Sequence, residues 1–290
     1  MKVMVTGAGG QLGRELLGTA PGGVECVPLS RTSLDIGDAD AVAQSIDSHC
    51  PSVLINAAAY TAVDGAESEP ALAIRANGDG PANLARACRE RGCRLLHLST
   101  DFVFDGRSGR PYAPDAAIAP LGEYGRSKAL GESAVTAAAP ASVILRTGWV
   151  YSRHGGNFVL TMLRLMAERE ELRVVCDQVG TPTWARGLAL ALWEFAGRDN
   201  LSGIYHWSDA GACSWYDFAV AINEEALGLG LLERPTRIVP IPASEYPTPA
   251  ERPAFSVLDK SSSWRDLELP PEQWRRQLRA MLSDMKENTP

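Results

Sequence analysis

The chain has 290 residues, of which 45% are apolar and 22% charged, with a formal net charge of −7 at neutral pH; this is the composition of a globular protein large enough to bury a substantial core. The acidic balance argues against nucleic acid and anionic membrane as main partners, yet leaves room for a small anion held by a few local cations or helix ends. No apolar run approaches the ~18 residues that a membrane helix needs.

The sequence opens Met1-Lys2-Val3-Met4-Val5-Thr6-Gly7, directly as a strand, without the charged start and small-residue cleavage site of a secretory leader. The six cysteines (Cys26, Cys50, Cys88, Cys93, Cys176, Cys213) form no Cys-x-x-Cys pair, and the four histidines (His49, His97, His154, His206) show no His-x-x-x-His spacing. A reduced, cytoplasmic protein without a transition-metal site is expected. Apolar strand patterns at 2–6, 24–29, 52–56, 94–99 and 142–146 alternate with helical patterns at 11–17, 39–48, 69–91 (interrupted near 78–81) and 125–138. Apolar blocks between helices predict a parallel sheet covered on both faces, the Rossmann-type doubly wound α/β fold. Beyond about residue 150 the rhythm loosens, with helices at 156–168, 183–197, 214–227 and 271–284 and strands at 172–175, 204–207 and 237–240. This predicts a dinucleotide-binding domain over 1–150 and a smaller α/β substrate lobe over 151–290, with segments that interleave at the boundary.

Between the first strand and the first helix lie Gly7, Gly10 and Gly13, three residues apart, in Thr6-Gly7-Ala8-Gly9-Gly10-Gln11-Leu12-Gly13. Glycine permits the tight turn and close backbone approach to a pyrophosphate, and the helix then offers its N–H groups and positive dipole end to that anion. The second strand leads into Ser30 and Arg31, with no acid until Asp35; an arginine there favours a 2′-phosphate and hence NADPH, with NADH as the alternative. The fourth strand ends Ser99-Thr100-Asp101, at the carboxyl edge where open parallel sheets bind ligands. Tyr124 and Lys128 follow, four residues apart and so on one face of a helix. A phenol has an ordinary pKa near 10, which a nearby ammonium should lower towards that of a working acid, while a threonine or serine hydroxyl polarises a carbonyl. These residues point to hydride transfer from a nicotinamide with Tyr124 as proton donor.

Together, Gly7-x-x-Gly10-x-x-Gly13, Ser99-Thr100-Asp101 and Tyr124-x-x-x-Lys128 resemble the extended short-chain dehydrogenase/reductases. Gly10-Gln11-Leu12-Gly13, Asn56-Ala57-Ala58-Ala59-Tyr60-Thr61-Ala62-Val63-Asp64, Leu145-Arg146-Thr147-Gly148-Trp149-Val150-Tyr151, Asp177-Gln178-Val179-Gly180-Thr181-Pro182-Thr183 and Ser214-Trp215-Tyr216 resemble, more narrowly, the dTDP-4-dehydrorhamnose reductase family, over roughly residues 1–260. The resemblance implies NADPH-dependent reduction of the C4 ketone of a nucleotide-activated 6-deoxyhexose. It implies a catalytic triad of Thr100, Tyr124 and Lys128, cofactor contacts from Gln11, Leu12, Asp35, Ile36, Ala58, Ala59, Tyr60 and Thr61, and sugar contacts from Asp101 and Trp149. Asn77 takes a supporting role. Asn157 and Arg252 are further candidates for the nucleotide-sugar substrate, Arg252 for its diphosphate, and a homodimer is compatible with the family. The sequence departs from the family pattern at Gly122, Gly148 and Ala254-Phe255, which leaves a sister ketoreductase of another deoxysugar as the alternative. A non-catalytic relative, such as the regulatory subunit of methionine adenosyltransferase, would not require the intact triad, and an epimerase would retain its NAD.

Overall fold

Val3, Met4 and Val5 follow one another without a polar interruption, and such a run is satisfied only by burial on both faces of a sheet. In the computed structural model, which describes residues 1–287, all three are fully buried in β1 (Lys2–Thr6). The chain then alternates through α1 (Gln11–Gly18), β2 (Glu25–Leu29), α2 (Ala39–His49), β3 (Val53–Asn56), α3 (Val63–Ser68), α4 (Pro70–Ile74), a π-helical turn (Arg75–Asp79), α5 (Gly80–Glu90), β4 (Arg94–Thr100), a 3-10 turn (Asp101–Val103), α6 (Glu123–Ala138) and β5 (Val143–Thr147). All these strands pair in parallel, in the order β5-β4-β3-β1-β2. The expected doubly wound sheet is present. Its two faces carry separate cores: Val3, Val5, Leu96 and Leu98 pack with Leu16 and Leu192 on one side, while Met4, Leu54 and Leu95 pack with Ile46 and Leu84 on the other.

The second half continues with β6 (Val150–Tyr151), α7 (Phe158–Glu168), β7 (Glu171–Val175), β8 (Val179–Gly180), β9 (Thr183–Trp184), α8 (Ala185–Gly197), β10 (Gly203–His206), β11 (Cys213–Ser214), α9 (Trp215–Gly228), β12 (Arg237–Ile241), α10 (Ser261–Leu267) and α11 (Trp274–Glu287). Three two-stranded pairs, β6 with β9, β7 with β12 and β8 with β11, carry a core of Tyr151, Val159, Met166, Phe218, Leu278 and Met281. β10 instead joins the main sheet in parallel beside β5, and α8 lies along α1. This is an interleaving of segments across residue 150: without β10 the outer edge of β5 would present a row of unpaired backbone groups. The interruption expected near 78–81 falls earlier, as the π-helical turn, and α3 and α10 were not foreseen because each spans less than two turns. Among the described residues no helix is long and apolar enough to cross a membrane.

Candidate active site

The turn after β1 is tight enough to require glycine at two places. Gly7 has φ +69°, and a Cβ there would lie 2.6 Å from the Ala57 backbone; a Cβ on Gly13 would lie 2.3 Å from Gly7 O and 2.6 Å from Ala8 Cα. α1 therefore starts pressed against the loop. Its N-cap, Gly10, contributes no side-chain hydrogen bond, so the first-turn N–H groups remain for solvent or an anion.

A row of buried polar side chains lies across the strands just behind this turn. Thr6 Oγ1 donates to Asn56 Oδ1 at 2.7 Å, Ala58 N donates to the same oxygen at 3.2 Å, and Asn56 Nδ2 donates to His97 Nδ1 at 3.0 Å. Two donors on its oxygen fix the orientation of the amide, so His97 accepts at Nδ1 and carries its proton on Nε2. Burial, and then the charge of Lys128, hold His97 well below the ordinary histidine value, and it is a neutral ring. Sequence reasoning missed this network; no local spacing links Thr6, Asn56 and His97.

At the end of β4, Thr100 accepts a hydrogen bond from Phe102 N at 3.2 Å and donates to Asp101 Oδ1 at 3.1 Å. Burial pushes Asp101 up to about 6, opposed by hydrogen bonds from Ser256 and Thr100. Tyr124 enters from the first turn of α6, its ring edge-on to Phe102 with centroids 5.6 Å apart. The surrounding protein pushes the phenol up to about 12 and Asp101 adds to the rise, against a hydrogen bond from Thr100 that lowers it. The expectation that an ammonium draws the phenol towards neutrality is corrected, because desolvation dominates. One turn later Lys128 is buried, donates Nζ to Leu98 O at 2.5 Å, and is pushed down to about 8 by burial, with Glu132 opposing. The π-helical turn packs on this helix: Asn77 accepts from Tyr60 N at 2.8 Å and donates to Tyr60 O at 2.9 Å and to Ser127 Oγ at 3.0 Å. It thereby links the Ala59-Tyr60-Thr61 turn to the helix that bears Tyr124.

A cavity of about 780 Å³ connects these parts. Among the expected residues, Gly7, Gly10, Gln11, Leu12, Gly13, Ser30, Arg31, Asp35, Ile36, Ala58, Ala59, Tyr60, Thr61, Tyr124 and Lys128 all line it. Arg75 lines it too, and donates to Asp35 Oδ2 at 2.6 Å while Gly37 N donates to Asp35 Oδ1 at 2.9 Å; its place in the π-helical turn gave no sequence signal. Trp149 has φ +51° and stacks on Trp215 with centroids 3.4 Å apart and planes 4° from parallel. A Cβ on Gly180 would lie 2.5 Å from the Trp149 ring, so the indole is clamped between that backbone and Trp215. Of the expected substrate contacts Tyr124 lines this cavity, whereas Thr100, Asp101, Trp149, Asn157 and Arg252 are not among its lining residues. Arg252 is held by Asp64, with Nη1–Oδ1 at 3.0 Å and Nη2–Oδ2 at 2.8 Å. Asn157 caps α7 through Leu160 N and spends its Nδ2 on Gln11 Oε1 at 2.9 Å and Ser152 O at 2.7 Å. Neither side chain is presented to the cavity; their partners, distant in sequence, already satisfy them.

Comparison with known proteins agrees with this arrangement. The family model described as RmlD substrate binding domain matches residues 1–287. A dTDP-4-dehydrorhamnose reductase from Burkholderia thailandensis is 44% identical over 272 residues, covering 90% of this chain and 91% of that protein. The crystal structure of a dTDP-4-dehydrorhamnose reductase from Clostridium acetobutylicum superposes with a TM-score of 0.93 at 38% identity, covering 99% of this chain and 100% of that one. That of a dTDP-4-dehydrorhamnose reductase from Bacillus anthracis, in complex with NADP, also gives 0.93, at 34% identity, with 98% and 99% covered. A glycine turn built for an anion, a phenol and an ammonium gathered at one cavity, and likeness along nearly the whole chain have one common reading: the chain belongs to the dTDP-4-dehydrorhamnose reductase family.

Proposed function

We propose that the protein reduces the C4 ketone of dTDP-4-dehydro-L-rhamnose to give dTDP-L-rhamnose, with NADPH as reductant. The observation that carries this is the convergence of Tyr124 and Lys128 on the same cavity as the Gly7–Gly13 turn and Ser30–Arg31. The cradle fits a dinucleotide: without side chains, Gly7 and Gly13 let the turn close against Ala57 and the start of α1, the uncapped start of α1 suits a pyrophosphate, and Arg31 suits a 2′-phosphate. When bound, NADPH supplies hydride to the carbonyl carbon. Thr100 orients the ketone oxygen through its hydroxyl, and Tyr124 transfers its proton to that oxygen as negative charge develops there. A phenol pushed up to about 12 is fully protonated at neutral pH, which is the state a reduction consumes. The phenolate left behind is stabilised by the charge of Lys128, one turn along the helix.

Asp101 and the clamped Trp149 are the proposed contacts for the sugar ring, and the lobe built on α7, α9 and α11 is the proposed substrate-holding part. Arg252 is not assigned to the diphosphate, since Asp64 occupies it. A homodimer is supported by Ile74 and Leu130, apolar and exposed on α4 and α6 although their side chains lie close together about Gly78. The reductase reading is tested with Tyr124→Phe, which keeps the ring and removes the proton. The rate constant for ketone reduction should fall by about 10²–10⁴ while NADPH affinity stays within a few-fold. A variant that retains the native rate would remove Tyr124 from the mechanism.

A further inference from the structure

Arg146 and Glu132 form a bidentate ion pair in the interior. Nε donates to Glu132 Oε1 at 2.8 Å and Nη2 to Oε2 at 2.7 Å, with the side chains only 3% and 4% exposed. So deep a pair loses more hydration than it regains unless its remaining donors find partners. Here Arg146 Nη1 donates to Pro114 O at 3.1 Å and to His206 Nε2 at 3.4 Å, and the guanidinium carbon lies 5.1 Å from the centre of the Phe104 ring. Neither Arg146 nor Glu132 lines the cavity, and the reaction as derived uses neither.

Their placement relative to Lys128 gives them a use. Glu132 stands four residues after Lys128 in α6, on the same face and one turn away, and both are buried. A loose carboxylate at that position would swing onto the ammonium and draw it out of the cavity; the Arg146 fork holds both oxygens and prevents this. We propose that Glu132, clamped by Arg146, is a positioning residue for Lys128: a fixed counter-charge one turn behind the ammonium, near enough to favour its charged form and too constrained to bond it. The direction of the shifts agrees, since burial lowers Lys128 and Glu132 is what raises it.

Other ionisable groups on elements packed against α6 have partners of their own: Asp64 on α3 accepts from Arg252, Arg86 on α5 donates to Asn83, Glu90 on α5 accepts from Arg91, and Arg94 on β4 donates to Leu201 O. His97 on β4 is neutral, and Asp101 beyond it bonds Thr100. Glu67 on α3 accepts from Glu123 N at the first turn, and Arg89 on α5 donates to Ala138 O at the last. In the π-helical turn, Arg75 pairs with Asp35 and Asp79 is exposed. Glu132 is the carboxylate placed to act on Lys128 from within the helix.

The inference rests on the reading of Lys128 as part of the reductase site, so its test measures both turnover and NADPH binding against pH. Three proteins are compared: wild type, Glu132→Gln, and Glu132→Leu combined with Arg146→Met, which removes both charges while keeping apolar packing. As Lys128 loses its proton above its folded value, rate and NADPH affinity fall; without Glu132 this fall begins at lower pH. The ratio of kcat/KM at about pH 8.5 to that at about pH 7 should drop at least threefold from wild type in both variants, and the NADPH association constant should follow. A folded variant of either kind, lower in melting temperature but with an unmoved alkaline limb, would show that the pair merely ties β5 to α6 and would overturn the proposal. If wild type binds NADPH but fails to turn over the keto-sugar, the reductase reading fails, and the binding limb alone then decides the role of Glu132.

Discussion

At Tyr124 two influences oppose each other: the surrounding protein with Asp101 raises the phenol, and the Thr100 hydroxyl lowers it. Burial wins, and the proton stays in place until a ketone oxygen needs it. Arg31 belongs to the same scale. It lines the cavity next to Ser30 at the end of β2, and charge-assisted bonds to a phosphate are worth ~1.5–3 kcal/mol, about ten- to a hundredfold in affinity. Arg31→Ala should raise the KM for NADPH by about tenfold or more while that for NADH changes less than about twofold; steady-state kinetics with the two cofactors check this, and equal losses would give Arg31 another role. The Tyr124 and Lys128 pair was legible in the sequence because helix geometry turns a spacing of four into one face. The fates of Arg252 and Asn157 were not, because the partners that claim them, Asp64 and Gln11, lie 188 and 146 residues away.

Elements carry the next constraint. The start of α1 is held so close to the preceding turn that Gly13→Ala drives a Cβ into Gly7 O and Ala8 Cα, both backbone and unable to yield cheaply. Overpacking of this kind costs ~1–3 kcal/mol, and the helix end that should meet the pyrophosphate shifts with it. Denaturant unfolding should show that loss for Gly13→Ala together with weakened NADPH binding, whereas Gly9→Ala, whose Cβ meets nothing within 4 Å, should unfold like wild type. Equal stability of the two variants would refute the close-packed turn. Strands β1, β3, β4 and β5 were readable within a residue or two because each is built on an apolar run, Val3–Val5, Val53–Ile55, Leu95–Leu96 and Val143–Leu145, while β2, with Glu25 and Pro28, was readable from its place between two turns. The π-helical turn was only half visible: Gly78 and Pro81 signalled an interruption, but its shape depends on Asn77 reaching Tyr60 and Ser127. β10 was visible as a strand, yet nothing in 204–207 says which sheet it joins; the unpaired edge of β5 decides that.

Over the whole molecule, the two halves are joined through the site itself. Gln11, in the glycine turn, accepts from Asn157 and from Ser152 Oγ at 3.2 Å, so the cofactor loop and the lobe beyond it are braced against each other. That lobe presents the clamped Trp149 and is too elaborate for a simple ketone; its binding energy is best used to orient the keto carbon, in which case a truncated substrate loses rate as well as affinity. The central claim is reduction of a dTDP-activated keto-sugar, and it is tested most directly by following NADPH consumption with the dTDP-4-keto-6-deoxyhexose, the corresponding sugar phosphate and the free keto-sugar in parallel. The account predicts a kcat/KM highest by at least about a hundredfold for the nucleotide sugar, a difference of ~2.7 kcal/mol in transition-state binding; comparable values for all three would contradict it.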